Sequence, residues 1–369
     1  YDDASYGSPF DPNLNVLQWT AYTPYSDSYG KATPWIAGKD GPITFFDTAN
    51  TFSNSVSFED GNEKTNFVLN YNNLNQTGIM PNSEMKQNTM SIKVNHEFTD
   101  KLSTSVYANY LNSGTVGRNS TGYNDNIMSN FRQWWQTNVD VQEQKAAYFQ
   151  TRENITWNTS DAHLDLSPIY SDNPYWTRYE NYNTDGRNRV IGNVALDYKI
   201  TEWVSLFGRV SLDNYDEIQE ERINVNSSDV SRYQRYNRSY NENNYDLMLN
   251  FNHDFSENFN LLATAGTNIR RTKVSSIFAS TNGGINIPGL YTLANSANPI
   301  VAPTEFESEV GVDGIFATAS LGFANTLYLE GSVRQDTFST LPRDSDTALY
   351  WGASGSFVFS SLLGNNNFM

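Results

Sequence analysis

The chain has 369 residues, no cysteine, and 41 acidic against 24 basic side chains, which gives a net charge of −17. This acidity argues against a nucleic-acid binder, because such proteins need basic side chains to displace counterions from phosphates. The absence of cysteine excludes disulfides, thiolate metal ligands and a cysteine nucleophile.

Residues 1–51 are interpreted as an irregular lead-in that contains Pro24, Pro34 and Pro42. The chain opens without the basic stretch and apolar run of a signal peptide, so its start is expected to be mature, processed or incomplete. It has no run of about 18 apolar residues, so no transmembrane helix is predicted. The lead-in is therefore expected to cross from an absent upstream region into the first strand.

From residue 52 onward the dominant hydrophobic period is two, which is the period of a β-strand. Between residues 190 and 198, for example, Val194 and Leu196 share one face, whereas Asn193 and Asp197 lie on the other. Many such runs have roughly the 9–11 residues that a tilted membrane strand needs, against about five or six in globular proteins. About eleven strands are predicted, with starts at Phe52, Thr65, Met90, Leu102, Val190, Val204, Tyr245, Phe259, Gly314, Leu327 and Leu349.

The connections alternate regularly between short turns and long loops. Short turns are predicted near residues 61–64, 99–101, 201–202, 256–258 and 324–326. Longer loops are predicted near residues 75–88, 113–187, 216–242, 272–313 and 339–347. Every second connection then lies at the same end of the sheet, as in outer-membrane barrels with short periplasmic turns and long extracellular loops. The fold class indicated is all-β, a transmembrane antiparallel β-barrel.

The loop at 113–187 is too long for an idle connector in a compact fold. It carries five large aromatic residues, which are Trp134, Trp135, Trp157, Tyr175 and Trp176. In one interpretation they bind substrate, lining the extracellular mouth and stacking on sugar or peptide. In the other, which we favour for any single residue, they pack the loop against itself or against a capping partner.

Candidate reactive groups have simpler explanations. His96 and His253 each precede a similar short turn on different hairpins, which favours a structural position over a paired metal site. The acidic pairs Glu220-Glu221 and Asp344/Asp346 fall in predicted loops and are interpreted as solvated, not as a glycosidase pair. No hydrolase elbow, phosphate-binding loop or zinc-protease motif occurs. We therefore expect no enzyme activity, no catalytic residue, no metal and no cofactor.

An ordered set of segments along the chain resembles the barrel of SusC/RagA-type TonB-dependent transporters from Bacteroidetes. The resemblance covers roughly residues 40–360, and no single motif in it is specific. The segments that carry it lie at residues 66–78, 124–135, 173–176, 188–193, 198–203, 331–336 and 352–359.

The resemblance implies a 22-stranded barrel filled by a plug domain, with a TonB-interacting segment and a SusD-like surface lipoprotein as a lid. Residues 52–369 would form part of that barrel. The plug and N-terminal domains are expected to be absent from this chain. The end at residues 365–369 is not a closing strand with a terminal aromatic, and eleven strands would leave an edge open to lipid. We therefore expect a fragment.

The resemblance also implies a function, which is TonB-dependent uptake of oligosaccharides or peptides across the bacterial outer membrane. The implied partners are a SusD-like lipoprotein, the TonB complex, outer-membrane lipid and the substrate; nucleic acid is not among them. Three rivals stay open from the sequence. They are a passive porin-like channel, a structural barrel in a larger surface assembly, and a soluble β-sandwich lectin.

Overall fold

The computed structural model describes residues 7–122 and 126–359. Most of these residues lie in strands, and the helices are short. In chain order the strands are β1 (Asp11–Val16), β2 (Thr33–Trp35), β3 (Asn50–Gly61), β4 (Thr65–Thr77), β5 (Glu84–Thr99), β6 (Leu102–Val116), β7 (Thr159–Asp161), β8 (Asp165–Pro168), β9 (Asn183–Lys199), β10 (Val204–Ile223), β11 (Arg232–Ser256), β12 (Phe259–Ser280), β13 (Asn282–Ile285), β14 (Ser296–Asn298), β15 (Thr304–Phe323), β16 (Leu327–Phe338) and β17 (Thr347–Phe357). The helices are α1 (Ile127–Ser129), which continues into a π-helical turn at Asn130–Trp134, α2 (Val141–Thr151) and α3 (Pro174–Tyr179), with 3₁₀ turns at Trp19–Tyr22, Pro42–Phe45 and Leu293–Asn295.

Eleven strands form one antiparallel sheet, in the order β17-β16-β15-β12-β11-β10-β9-β6-β5-β4-β3. Each strand pairs with the one before and after it in the chain, apart from the small hairpins β7–β8 and β13–β14, which lie inside loops. The sheet does not close on itself within the described residues. The predicted number of strands and the transmembrane β-barrel class are confirmed.

Four of the long loops are shorter than predicted, because the strands continue past the alternating pattern. The connection predicted at 216–242 spans only residues 224–231, and the one predicted at 272–313 spans residues 281–303. The first half of β11 is polar on both faces, so it carries no hydrophobic alternation. Its backbone nevertheless pairs residue by residue with β10 and β12.

Alternate side chains divide the sheet into an apolar face and a polar face. On β11, Leu247 and Leu249 are on the apolar face and about half exposed, although they lie in the middle of a large sheet. Directly beside them, Asp246 and Asn250 occupy the polar face. A spanning barrel has an apolar exterior and a polar interior, so the apolar face contacts lipid and the polar face lines the lumen.

Ion pairs cross the strands on the lumen face. Arg209 Nε donates to Asp246 at 2.9 Å, and Asn268 donates to the other oxygen of the same carboxylate at 2.7 Å. Arg189 Nε donates to Asp213 on the neighbouring strand at 2.8 Å. Within β16, Arg334 Nε donates to Asp336, two residues along the same strand, at 2.9 Å. These charges are therefore satisfied by neighbours in the wall.

Aromatic rings cluster beside the short turns. The ring of Trp203 lies 5.2 Å from Phe251, and Phe255 lies 5.7 Å from Phe259. The two histidines that precede short turns join these clusters, His96 against Phe98 and His253 against Phe255. Such rings suit the membrane–water interface, where one side of the ring is apolar and the other polar.

The lead-in contains more regular structure than predicted. Strands β1 and β2 pair with each other, and Trp35 donates its indole N–H to the carbonyl of Pro9 at 3.1 Å. The remainder runs through two 3₁₀ turns before β3 begins at Asn50. The expectation for residues 365–369 concerns residues outside the described ranges.

The α-helices are 3, 11 and 6 residues long. None within residues 7–122 and 126–359 has both the length and the apolar character needed to traverse a bilayer.

Introducing an arginine should have a different effect on stability on each face of the sheet. Leu249→Arg places a charge in lipid and should destabilise the barrel by about 2–4 kcal/mol, whereas Asn250→Arg on the lumen face should cost much less. Denaturant unfolding of the complete transporter in lipid vesicles measures both. Equal losses for the two variants would contradict the assignment of the faces.

Candidate functional site

The long loop is a folded structure, which we call the loop cap and define as residues 17–47, 117–122 and 126–182. Helix α2 begins at Asp140, whose Oδ1 accepts from the backbone N–H of Gln142 at 2.8 Å and of Glu143 at 3.2 Å. Its Oδ2 accepts from the backbone N–H of Asp40 at 3.0 Å. One side chain thus caps a helix and attaches the lead-in to the loop.

An aromatic core holds the loop cap together. Phe45 from the lead-in lies 5.1 Å from the ring of Phe131 and 5.0 Å from Tyr175, in edge-to-face contacts. Each such contact contributes about 0.5–1.5 kcal/mol beyond the burial of its area. The buried members of the core are Phe45, Ile127, Trp135, Val139, Val141, Tyr148, Tyr175 and Trp176.

Buried amide groups connect the segments of the loop cap. Asn173 is fully buried and donates to the carbonyls of Gln144 at 2.7 Å and Ile155 at 2.8 Å. Its Oδ1 accepts from the backbone N–H of Tyr175 at 2.9 Å, which caps α3. The short polar side chain therefore joins α2, α3 and the strand-like segment between them.

Asp172 is a buried carboxylate without a cation among its described contacts. It accepts from Asn154 at 2.9 Å, from Asn181 at 3.2 Å and from the backbone N–H of Ser228 at 2.6 Å. Burial raises the pKa of Asp172 above its ordinary value, despite these hydrogen bonds. A raised pKa in the folded state means that this group stabilises the cap most below its ordinary pKa, and less as the pH rises through the raised value.

The loop cap is attached to the sheet on two sides. On the first side, Arg178 donates to the carbonyls of Pro81, at 2.9 Å, and Gly117, and Asn82 donates to the Arg178 carbonyl at 2.8 Å. Gly117 has φ +75° and lies against the Asn82 carbonyl, so a side chain cannot fit there.

The second attachment reaches the loop between β10 and β11. Trp176 donates its indole N–H to Ser227 at 2.8 Å, and Asn154 donates to the carbonyl of Asn226 at 2.8 Å. Together with the bond from Ser228 to Asp172, these contacts hold residues 226–228 against the cap.

The structure separates the five predicted substrate-binding aromatics into two groups. Trp135, Tyr175 and Trp176 are only 5, 1 and 5% exposed and belong to the core of the cap. Trp134 and Trp157 are partly exposed. Trp157 lies 5.9 Å from the ring of Trp135 and also lines an open cleft, so substrate contact stays a proposal that suits this residue best.

The cleft has a volume of 990 Å³ and lies between the lead-in, the segment 153–168 and the loop at 226–227. Trp19, Tyr22, Tyr25 and Trp157 contribute aromatic surface to it. The ring of His163 stands edge-on to Tyr22 at 5.0 Å. The lead-in aromatics are not predicted as site residues, because residues 1–51 are interpreted from sequence as a connector; the regular spacing of Trp19, Tyr22 and Tyr25 is the signal that could identify them.

Two carboxylates, those of Glu153 and Asp161, line the cleft. Asp161 accepts from the backbone N–H groups of His163 and Leu164 at 2.8 and 2.9 Å, which lower its pKa. No group of three or more His, Asp or Glu side chains that could hold a metal occurs in the described part of the chain. Glu220 and Glu221, placed in a loop from sequence, instead end β10, where they pair with Arg222 and Arg118.

The stability of the loop cap should depend on the buried carboxylate of Asp172. Asp172→Ala removes the carboxylate that accepts from Asn154, Asn181 and Ser228 and should destabilise the cap by roughly 3 kcal/mol. Limited proteolysis of the intact transporter should then cut within residues 126–182 much faster. Asp165→Ala, which removes an exposed carboxylate from the same loop, is the matched control and should leave the rate unchanged. Equal protection of both variants would show that Asp172 does not hold the cap.

No family model and no curated protein matches the chain. Solved structures do match. The RagAB peptide transporter superposes with a TM-score of 0.74 at 15% identity, over 95% of this chain and 39% of the RagAB chain. The RagAB peptide importer matches over the same shares, with TM-scores of 0.71 in its closed-closed state and 0.72 in its open-open state.

The match covers both the sheet and the loop cap, because only 5% of the chain lies outside it. The chain spans 39% of the length of these neighbours. At 15% identity the likeness concerns architecture, and it agrees with the eleven-stranded meander and its apolar and polar faces. The chain has the fold of part of a RagA-like outer-membrane β-barrel.

Proposed function

We propose that this chain is part of an outer-membrane importer that takes up oligopeptides or oligosaccharides, driven through TonB and assisted by a SusD-like surface lipoprotein. The observation that carries the proposal is the superposition on the RagAB peptide transporter over 95% of the chain. The plug and the TonB-interacting segment would lie in parts of the protein beyond residues 1–369. No bond is made or broken in this mechanism, so the protein would not be an enzyme.

The two faces of the sheet support transport. An apolar exterior anchors the wall in lipid, and a lumen face lined by paired charges and amides suits a water-filled path. The loop cap stands at the end of the sheet opposite the short turns, which in such barrels is the extracellular end. A solute arriving from outside would therefore meet the cap before the lumen.

The cleft supports a role for the cap in the first contact with substrate. Its rings offer flat apolar surface that can stack on a sugar or on the side chains of a peptide, while Glu153 and Asp161 add polar contacts. The RagAB neighbour is a peptide transporter, which favours peptides as the first class to test. Contact with the lipoprotein lid is the alternative use of the same surface.

Two tyrosines of equal exposure allow a matched test of the cleft. Tyr25 lines the cleft and is 60% exposed, whereas Tyr170 is 61% exposed and lies outside it. Loss of one aromatic contact of about 1 kcal/mol corresponds to roughly fivefold weaker binding, so Tyr25→Ala should lower uptake by about that factor. Tyr170→Ala should leave it unchanged. Uptake by whole cells is measured with labelled peptides from a tryptic digest and, in parallel, labelled oligosaccharides.

Active import and a passive channel differ in whether uptake requires TonB. Deletion of TonB in the same cells should abolish uptake by the complete transporter, because the plug must be displaced by work done from the inner membrane. Uptake that persists without TonB would support a porin-like channel instead. An assembly defect without any change in uptake would support a structural barrel.

A further inference from the structure

An aromatic and cationic cluster lies on the lumen face where β9, β10 and β11 run side by side. Tyr215 and Tyr240 are directly opposite each other and stack, with ring centroids 5.0 Å apart and an angle of 14° between the planes. The guanidinium carbons of Arg187 and Arg238 lie 5.0 and 5.8 Å from the Tyr215 ring. We call Tyr215, Tyr240 and Arg238 the lumen triad.

The lumen triad lies above the lipid-facing band. On the apolar face of β10 the unbroken series of apolar residues ends at Leu212 and is followed by Asn214 and Asp216, with a single Ile218 beyond them; on β11 the series ends at Tyr245. The triad is farther from the short turns than these positions. It therefore lines the extracellular entrance of the lumen, which a solute crosses after leaving the cap.

Most charges around the triad are already paired. Arg187 is bound to Glu217, and Arg189 to Asp213 at 2.8 Å. Glu242 accepts from the Tyr240 hydroxyl at 2.9 Å and lies in the electrostatic field of Arg270. With the charge of Glu242 counted against the nearby charge of Arg270, the positive charge of Arg238 is left without a carboxylate to balance it.

Three guanidinium groups lie beside the Tyr215 ring, and those of Arg187 and Arg189 are paired with carboxylates, whereas that of Arg238 is not. Among the residues that the structure describes it makes no ion pair, and its buried Nε–H has no acceptor. A buried donor without a partner is costly, and an acceptor that reaches it gains the full value of a charge-assisted bond. The flat guanidinium presents its donors in a fork that matches the two oxygens of a carboxylate.

We propose that the lumen triad is a subsite for a single carboxylate of the transported solute. Arg238 binds the carboxylate, and the stacked faces of Tyr215 and Tyr240 support the apolar atoms next to it. One spare positive charge matches a monoanion, and the neighbouring Asp213 and Glu217 oppose a doubly charged phosphate. The carboxylate belongs either to the C-terminus of an oligopeptide or to a uronic acid of an oligosaccharide. This proposal rests on the proposed function and adds the charge of its substrate.

The test compares charged and neutral forms of two defined probes on the complete transporter with its lipoprotein. The peptide probe is a hexapeptide without Asp or Glu, as free acid and as C-terminal amide. The sugar probe is hexagalacturonate and its methyl ester. Titration calorimetry gives the Kd of each. We expect the wild-type protein to bind the acid form of the peptide, the sugar or both more tightly than the neutral form.

Substitution of Arg238 should remove that preference. In Arg238→Ala the acid form should bind about 10- to 100-fold more weakly, while the neutral form keeps its Kd, because only the charge-assisted bonds are lost. Arg238→Lys should restore part of the preference, since the charge remains and the fork does not. Arg235→Ala is the control, because Arg235 lies on the same strand but its guanidinium approaches Glu220 on the other face. It should change neither Kd.

Three results would overturn the proposal. The first is equal binding of acid and neutral forms by the wild-type protein. The second is an equal loss for both forms in Arg238→Ala. The third is an unchanged Kd together with a lowered melting temperature, which would mean that Arg238 pairs with another part of the transporter. TonB-dependent uptake of the neutral probes in any of these cases keeps the proposed function, whereas absence of uptake of all four probes overturns both.

Discussion

In lipid no water is available to satisfy backbone N–H and C=O groups, so every such group in a spanning segment must be paired inside the protein. The antiparallel meander meets this requirement at every junction between β3 and β17, while the outer edges of these two strands have no partner strand within the described residues. Once the pairing is fixed, the alternation of side chains follows, because neighbouring residues of a strand point to opposite faces. Leu249 is placed in lipid and Asn250 in the lumen by the same backbone.

The loop cap solves a related problem with side chains. Its backbone is mostly irregular, so many of its polar groups need partners that regular structure does not supply. Asn173, Asp172 and Asp140 provide them, and each connects segments that are distant in the chain. The abundance of asparagine and aspartate in this region is therefore structural. It also explains how a loop of this length can carry a well-formed aromatic core and a cleft.

The parts that sequence predicted are those with a local signal. Alternation at 190–212 located β9 and β10, and the short turns followed from Ser, Thr and acidic residues between apolar ones. The first half of β11 gave no such signal, because arginine, asparagine and tyrosine occupy both faces. Its extension depends on pairing with neighbours, which composition does not reveal. For the same reason the lumen triad was missed, since Tyr215 and Tyr240 meet only through strand register.

The candidate site was predicted in part. The sequence located the aromatic loop but not the division of its aromatics, because packing and binding favour the same residue types. Tyr175 became core through a contact with Phe45, which is far away in sequence and could not be paired with it beforehand. Trp157 remained at the surface of the cap because the lead-in and the segment 153–168 leave a gap beside it.

The double attachment of the cap has a mechanical consequence. Arg178 attaches it to the β4–β5 connection and Trp176 attaches it to the β10–β11 connection, so its two sides are fixed to two separate connections of the sheet. A segment attached at two points cannot rotate about a single hinge. The chain also superposes equally well on the closed-closed and open-open RagAB states. The cap is therefore expected to move with the wall of the sheet as one body.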